Sequence, residues 1–486
     1  MTDTAQEMSG SAQKSRADKH MTRRRKILLY FAIALVVFMA GFVILIGPWP
    51  TYGSGFEDSD YYNDALAAIE RQAKLFSHGA SIGRFHAGWS SQQIAPPVGT
   101  PLAGYGDRKG KPSTGTYDGI YVKALAVSDG ADTAVIVGSD ILIVPENVAE
   151  LVRARVSEQT PLTANDILFN ASHNHSGPGA FAPGLSSKMF NGPYDPRMPE
   201  ILAKAFTDAI VEAFTSLEPA KVAHGSVDAP RYIRNRERKD GPVDSELSYM
   251  RVDQEDGDVC ILVSYSAHPT VLGSDNMQIS GEYPGFLMRH VTEIIDAQAI
   301  FLSGAVGSMT HRAPDTEDPF DRCQALGESL ADKLIAAVIR PQAFEDRVDV
   351  ASIGIPIQLP PFQLRLSKHW RTSKFLLPIL GIDSDGWMQA VRIGDVALVG
   401  TPADYCGEIS IDLKSWAEDT FGDLWVLSFN GDYVGYVSPD RYYYEKDEDG
   451  GYGYERGVMS WIGPDQEAYT VSLIKHMISA LFGDRT

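Results

Sequence analysis

The sequence predicts a mixed α/β protein with one large domain, preceded by a single transmembrane helix. From about residue 85 onward, short apolar runs typical of buried strands alternate with helical patterns. No repeat of fixed period and no convincing linker interrupts that alternation, which indicates one domain. The transmembrane helix is predicted separately, because one uncharged apolar stretch near the N-terminus is long enough to cross a bilayer.

The strand and helix patterns alternate along the chain, as is typical of a mixed α/β fold with buried strands. Helical spacing of apolar residues occurs at 201–214 and 326–338, and an amphipathic helix is expected between about 58 and 76. The predicted strands are the apolar runs at 122–127, 134–137, 167–169, 259–263, 299–302, 396–399 and 425–429.

The N-terminal region has the pattern of a signal anchor. Residues 27–47 are 21 residues without a charge, about 30 Å long as a helix. Basic residues occupy all of 23–26, and by the positive-inside rule they keep the N-terminus cytoplasmic and the chain beyond it periplasmic or extracellular. No small-x-small cleavage site follows, which favours an uncleaved anchor over a removed signal peptide.

These patterns divide the chain into four predicted segments. The polar, biased composition of residues 1–20 predicts a disordered cytoplasmic tail. The segments are a basic tail (1–26), a transmembrane signal anchor (27–47), a linker with an amphipathic helix (48–84) and a large main domain (85–486).

Composition excludes several classes of protein. The apolar content of 44% supplies a real core. The formal net charge is -20, and such an acidic protein repels phosphate backbones, so we expect no nucleic-acid partner. Three cysteines without a CxxC pair exclude a disulfide scaffold and a cysteine-based zinc site. The sequence leaves the oligomeric state open.

Two histidines lie where a predicted strand ends. The run at 167–169 is followed by Ala-Ser-His-Asn-His-Ser-Gly-Pro-Gly, and its glycines and proline force a turn. In an extended segment His173 and His175 share one face at about 7 Å spacing. Either one binds a metal while the other works beside it, or both are hydrogen-bonded loop histidines.

Polar groups at other strand ends suggest a larger constellation. His268 and Asp404 follow apolar runs, and Tyr436 lies in a glycine-rich turn. Arg236, in Arg-Asn-Arg, offers a cationic fork. Catalytic groups of α/β domains gather at strand ends. Taken singly, each has an ordinary alternative: a loop histidine, a helix N-cap, or a core or surface tyrosine.

Several motifs resemble the neutral/alkaline, non-lysosomal ceramidase family, and they occur in family order across about 85–470. Residues 172–179 look like the family signature Thr-His-Thr-His-Ser-Gly-Pro-Gly. The other motifs are Phe-His-Ala-Gly (85–88), Ile-Ala-Pro-Pro-Val-Gly-Thr-Pro-Leu-Ala-Gly-Tyr-Gly (94–106), Arg-Asn-Arg (234–236), Ala-His (267–268), Ser-Gly-Glu-Tyr-Pro-Gly (280–285), Pro-Ala-Asp-Tyr (402–405), Gly-Tyr-Val (435–437), Tyr-Glu-Arg-Gly (454–457) and Gly-Pro (463–464).

The resemblance implies a zinc amidase. By its motifs, the zinc ligands map onto four positions and three further residues line the site. The implied ligands of Zn2+ are His173, His268, Asp404 and Tyr436, and the implied catalytic residues are His175, Arg236 and Tyr454.

The implied reaction is cleavage of the amide bond of ceramide or a related N-acyl lipid by metal-activated water at the membrane surface. Arg236 or Tyr454 would stabilise the oxyanion, and His175 would pass a proton to the leaving amine. The absence of a Gly-x-Ser-x-Gly elbow argues against a serine hydrolase. Two alternatives stay open: a zinc hydrolase of another amide or ester, such as a cell-envelope component, and a non-catalytic lipid-binding ectodomain.

Three features depart from the family pattern. Asp404 stands where the family acid is commonly glutamate, so the backbone must approach the metal more closely or the coordination must change. The resemblance ends soon after Gly463-Pro464, so no immunoglobulin-like C-terminal domain is expected. Residues 359–380 combine basic and apolar residues and have no counterpart. That segment would face lipid or line a substrate groove, or else pack into the core beside a solvated basic turn.

Overall fold

The structure is a computed structural model that describes residues 3–53, 55–76, 83–446 and 451–483, with side chains from residue 23 onward. The chain forms two compact units. The anchor unit comprises the chain up to Thr51 together with Arg365–Leu376, and the main unit comprises Tyr52–Leu364 and the chain from Leu377 onward.

The helices and strands are numbered in chain order. The helices are α1 (Asp3–Leu45), α2 (Asp60–Ala73), α3 (Glu146–Gln159), α4 (Leu185–Asn191), α5 (Arg197–Thr215), α6 (Glu282–Ile295), α7 (Pro319–Val338), α8 (Leu377–Leu380), α9 (Gly407–Glu418) and α10 (Gln466–Phe482). The strands are β1 (Trp49–Pro50), β2 (His86–Ile94), β3 (Gly115–Thr116), β4 (Ile120–Ser128), β5 (Thr133–Ser139), β6 (Ile167–Ala171), β7 (Glu218–Asp228), β8 (Ile233–Asn235), β9 (Glu246–Gln254), β10 (Val259–Tyr265), β11 (Gln278–Ile279), β12 (Gln298–Ser303), β13 (Met309–His311), β14 (Val350–Gln358), β15 (Arg365–Ser367), β16 (Trp370–Arg371), β17 (Asp385–Ile393), β18 (Val396–Gly400), β19 (Asp404–Tyr405), β20 (Asp423–Leu427) and β21 (Tyr436–Val437).

The anchor unit contains the long helix α1 and a small sheet of β1, β16 and β15. Within α1, Arg23–Leu45 is long and apolar enough to cross a membrane, with a mean hydropathy of 2.9 and none of its apolar window buried. The helix already begins at Asp3, so the disorder expected of the tail is not observed from there on. Extending an existing helix costs far less than starting one, which allows a polar tail to continue it.

The main unit is built around two larger sheets. One has eight strands in the order β12-β10-β9-β7-β2-β4-β5-β6, and the other has four in the order β14-β17-β18-β20. Most neighbours are antiparallel, but β5 pairs parallel with β6, β10 with β12, and β18 with β20. The predicted mixed α/β class is confirmed, and the predicted strands fall within or overlap β4, β5, β6, β10, β12, β18 and β20.

The two sheets pack face to face. One buried apolar cluster joins residues such as Ile136, Leu168 and Leu262 of the eight-stranded sheet to Leu398 and Trp425 of the four-stranded one. Helices cover the outer faces: α3 and α5 on one half of the larger sheet, α6 and α7 on the other, and α2, α9 and α10 on the smaller sheet. The main unit is therefore a four-layer α/β/β/α arrangement with three buried interfaces.

Residues 359–380 divide between the two units. In the main unit Leu359 and Phe362 are buried, which is the packed excursion that one interpretation predicted. In the anchor unit Leu366, Trp370 and Phe375 are exposed. The buried part agrees with the packed excursion, whereas contact of the exposed part with lipid stays a prediction.

Leu168 tests the contact between the sheets. It is fully buried there, so Leu168→Ala should leave a cavity and lower the free energy of unfolding by about 2–5 kcal/mol. Val98→Ala is the control, because Val98 is fully exposed and its loss should cost no more than about 0.5 kcal/mol. Urea unfolding of the full chain in detergent, followed by tryptophan fluorescence, measures the free energy of unfolding of both variants. Equal unfolding midpoints for the two variants would contradict the packing of the two sheets.

Candidate active site

The predicted site residues come together where strands end. His173 follows β6 directly after Ser172, and His268 lies three residues after β10. Asp404 and Tyr436 are register partners in the parallel pair β19 and β21. All seven predicted residues line one cavity of about 840 Å³ in the main unit, in the usual range for small-molecule sites.

His173 is held with one ring nitrogen turned toward the cavity. Its Nδ1 lies 2.8 Å from the carbonyl oxygen of Leu142, so this nitrogen carries the proton and Nε2 presents its lone pair. The ring stacks on Phe429 with centroids 4.1 Å apart. The backbone of His173 has a φ of 60°, a left-handed conformation that costs energy for a histidine and is found mostly at functional sites.

Three histidines form a compact cluster. Ring nitrogens of His173, His175 and His268 all lie within 4.8 Å of one another, and Nε2 of His268 is 3.3 Å from Nε2 of His175. Nδ1 of His268 lies 3.3 Å from the carbonyl of Val306, which again leaves Nε2 for the cavity. Burial lowers the pKa of all three, to about 3 for His173, so the rings are neutral at pH 7, the form that binds metals.

Asp404 has a carboxylate oxygen that no hydrogen bond satisfies. Tyr433 donates its hydroxyl to Oδ2 at 2.7 Å. Oδ1 is fully buried without a hydrogen-bond partner among the described residues, and it faces Nε2 of His173 at 3.6 Å. Burial raises the pKa of Asp404 to about 7. An orphaned carboxylate oxygen beside imidazole lone pairs is costly unless a cation joins them, so these residues fit a metal ion.

The shorter side chain of Asp404 does reach His173, because its backbone lies in β19 beside the cavity. The alternative role as a helix N-cap is wrong, since α9 begins at Gly407 and Cys406 precedes it as the N-cap. His268 and Tyr436 are both buried and line the cavity, and Tyr436 also belongs to the buried apolar cluster of the smaller sheet.

Arg236 lines the cavity and contacts Tyr436. Its Nη2 donates to the Tyr436 hydroxyl at 3.0 Å and to the carbonyl of Gly307 at 2.9 Å. Its Nε lies 3.1 Å from a carboxylate oxygen of Glu455. Tyr454 lies beside Tyr436, with ring centroids 6.2 Å apart, and is 46% exposed, so it stands at the edge of the cavity.

Sequence reasoning missed the residues that hold the site in place. Arg108 donates to the carbonyls of Ala103 and His175 and thereby ties two loops together. A Cβ at Gly104, where φ is +94°, would lie 2.4 Å from Nδ1 of His175, so this position requires glycine. Glu455 and Gly104 lie inside motifs quoted for the resemblance, whereas Tyr433 carries no signal of its own.

The cavity is lined by both apolar and acidic side chains. Its apolar lining includes Leu142, Phe181, Phe190 and Trp461. Carboxylates line it as well, at Asp107, Glu146, Asp383, Asp404 and Asp432, and Arg236 is the only lysine or arginine among the described lining residues. The site can therefore accept an apolar chain beside a polar group.

Comparison with known proteins shows which family and which fold the chain resembles. Residues 85–306 match the family described as neutral/alkaline non-lysosomal ceramidase, N-terminal. A curated neutral ceramidase of Mycobacterium tuberculosis is 23% identical over 177 residues, a stretch that covers 33% of this chain and 28% of that protein. The solved neutral ceramidase of Pseudomonas aeruginosa superposes with a TM-score of 0.70 at 17% identity, over 82% of this chain and 74% of that one.

A second solved structure, a ceramidase complexed with C2, superposes with the same TM-score of 0.70. The superposed region covers 75% of the chain in that structure. At 17% identity these structures establish the fold alone. The matched residues 85–306 include four of the predicted site residues, His173, His175, Arg236 and His268. Residues 85–306 are therefore similar in sequence to the neutral/alkaline non-lysosomal ceramidase family, and the fold is similar to that of the solved neutral ceramidase.

Proposed function

We propose that this protein is a membrane-anchored, zinc-dependent amidohydrolase that cleaves the N-acyl amide bond of ceramide or a related N-acyl lipid. One observation carries the proposal. Three histidine side chains and an orphaned, buried carboxylate oxygen of Asp404 line a cavity whose walls also carry large apolar side chains. The similarity to the family supports the same reaction class.

The donor set suits zinc. Imidazole nitrogens and a carboxylate oxygen are ordinary zinc ligands, and His173, His268, Asp404 and Tyr436 would hold the ion. Zinc in such a site acts as a Lewis acid that polarises a carbonyl and makes water more acidic. Carbonyl groups of Leu142 and Val306 orient the two imidazoles for this task.

The remaining residues supply proton transfer and charge stabilisation. His175 is neutral, and its Nδ1 has no hydrogen-bond partner among the described residues. It can therefore take the proton that the attacking water gives up and deliver it to the nitrogen of the leaving amine as the C–N bond breaks. Arg236 stabilises negative charge on the former carbonyl oxygen. Its ion pair with Glu455 and its contact with the Gly307 carbonyl hold the guanidinium in place.

The cavity and the N-terminal helix suit a lipid substrate. Phe181, Phe190 and Trp461 offer an apolar wall for an acyl chain. The candidate span of α1, Arg23–Leu45, begins with the basic residues 23–26, and its uncharged apolar stretch follows them, which favours a signal anchor with a cytoplasmic N-terminus and the main unit outside. Anchoring would keep the enzyme beside a substrate that barely dissolves in water.

A second candidate substrate is an N-acyl lipid that carries an amine. Glu146, Asp383 and Asp432 line the cavity, and burial with the charges of Glu146 and Asp383 raises the pKa of Asp432 to about 8. A cationic head group would relieve this repulsion. The carboxylates that line the cavity thus make an N-acylated amino lipid a second candidate beside ceramide, with the same amide cleavage.

His173 tests the enzyme proposal. The full chain should contain about one zinc and release fatty acid from ceramide. His173→Ala should lose the metal and at least about 100-fold of the activity, because a ligand is removed. His476→Ala, at an exposed position of α10, is the matched control and should behave as wild type. Metal analysis measures the zinc content of each variant, and a fatty-acid release assay measures its activity. Full activity of His173→Ala after chelation would refute the proposal.

Zinc affinity should depend on pH. Asp404 must be ionised to bind a cation, and its pKa is raised to about 7, so protonation competes with zinc as the pH falls. Affinity should therefore decline between pH 8 and pH 6, approaching about tenfold per pH unit below 7. The buried histidines add little there, because their pKa values lie lower. Chelator competition at several pH values measures it, and an affinity that stays flat would contradict this protonation step.

Asp383 distinguishes the two candidate substrates. If an amine is recognised, matched N-acyl lipids that differ only in an ammonium or hydroxyl head group should differ in kcat/KM. Asp383→Asn should then reduce the ratio of the two kcat/KM values by up to about fivefold, because a partly exposed ion pair contributes about that factor. The control is Asp256→Asn, on an exposed turn. Equal kcat/KM values for both lipids in the wild type would leave ceramide as the favoured substrate.

A further inference from the structure

The end of α1 is capped by residues from far along the chain. The last carbonyls of a helix have no partner within it. Here the Trp49 indole donates to the carbonyl of Val43 at 2.7 Å. Ser373 donates its hydroxyl to the carbonyl of Ile44 at 2.6 Å and its backbone N–H to that of Ile46 at 2.9 Å. Hydrocarbon cannot satisfy such groups, so these contacts fit the level where an apolar span leaves the membrane.

A small sheet fastens the same segment to the chain that follows α1. We call Arg365–Leu376 the anchor hairpin; it contains β15 and β16. Trp49 pairs with Arg371 and Pro50 with Trp370 in antiparallel register, and the N–H of Thr51 donates to the carbonyl of His369 at 3.1 Å. The hairpin is therefore fixed at one end of the apolar helix.

The anchor hairpin presents large apolar side chains to solvent. Leu366, Trp370 and Phe375 are 56%, 47% and 52% exposed, and Trp49 beside them is 36% exposed. Exposing several such side chains in one short segment is unfavourable in water. Aromatic residues at the two ends of membrane spans are, in contrast, enriched at the level of the lipid head groups.

The charge of the anchor hairpin is opposite to that of the protein. It carries Arg365, Lys368, Arg371 and Lys374 and no Asp or Glu, and residues 27–51 contain no charge at all, whereas the whole chain has a net charge of -20. Lys368 and Lys374 are exposed. Each basic side chain near an anionic bilayer surface contributes about 1 kcal/mol of attraction.

We propose that the anchor hairpin and Trp49 form a membrane-interface site that inserts aromatic side chains into the outer head-group layer and binds anionic lipid head groups. This inference rests on the proposed membrane anchoring by α1 and is independent of the reaction at the cavity. Two observations identify lipid as the partner of this surface. The anchor hairpin is paired to the end of the apolar span, and its positive charge is opposite to the net charge of the protein.

Brominated lipids test the insertion. The full chain in lipid nanodiscs should lose most of the fluorescence contributed by Trp370 when shallow-brominated phosphatidylcholine replaces the ordinary lipid. That contribution is the difference between wild type and Trp370→Phe. Trp425→Phe provides the control difference, because Trp425 is buried between the two sheets and should not be quenched.

Lipid selectivity tests the charge. At equal mole fractions, brominated phosphatidylglycerol should quench Trp370 at least about twofold more than brominated phosphatidylcholine. Lys368→Gln/Lys374→Gln should abolish this difference, whereas Lys204→Gln/Lys239→Gln, two exposed lysines of the main unit, should preserve it. Circular dichroism confirms that each variant is folded.

Alkaline extraction of membranes separates the possible failures. If the chain is extracted, α1 does not span the membrane, and both the anchoring and this inference are overturned. If the chain is retained but Trp370 escapes quenching, the interface site is overturned while the anchoring stands. Equal quenching by the two brominated lipids overturns the binding of anionic head groups. None of these results depends on amide hydrolysis.

Discussion

Packing of the eight-stranded sheet against the four-stranded sheet is the contact on which the site depends. Leu168 of β6, Leu262 of β10 and Leu398 of β18 belong to one buried cluster, so the ends of these strands keep fixed positions. His173, His268 and Asp404 follow those three strands. Apolar packing has no preferred direction of its own, but because it fixes these strands it determines where the three polar side chains meet.

Bringing those side chains together has an electrostatic cost. Burial keeps the histidines neutral and raises the pKa of Asp404 to about 7, and Oδ1 of Asp404 has no hydrogen-bond partner among the described residues. The strained backbone of His173 adds to this cost. A site of this kind is stabilised when a cation binds, because the same ion satisfies the carboxylate oxygen and the imidazole lone pairs.

The anchor unit obeys a different constraint. Carbonyl groups at the end of an apolar helix need donors, and here Trp49 and Ser373 supply them. Ser373 lies more than 300 residues from the helix end in sequence, so a segment with no counterpart in the family resemblance serves the helix rather than the cavity. Its aromatic and basic residues form the surface for which we propose a lipid partner.

The sequence by itself determined the features that depend on local patterns. Apolar runs located the strands that bury both faces, such as β5, β6 and β10, and the uncharged stretch located the apolar part of α1. Strands such as β2, with polar residues on one face, gave a weaker signal and were not predicted. The candidate site residues could be identified from the sequence, because its motifs can be matched position by position to those of the family without knowledge of the fold.

Tertiary structure alone decided which of those residues are neighbours and in what chemical state. The distance between Asp404 and His173, the tautomers set by Leu142 and Val306, and the supporting roles of Tyr433, Glu455 and Arg108 all arise from contacts between distant segments. The pairing of β16 with β1 is of the same kind. Such contacts leave no periodic pattern in the chain, because burial and hydrogen-bond geometry exist only once the layers have packed.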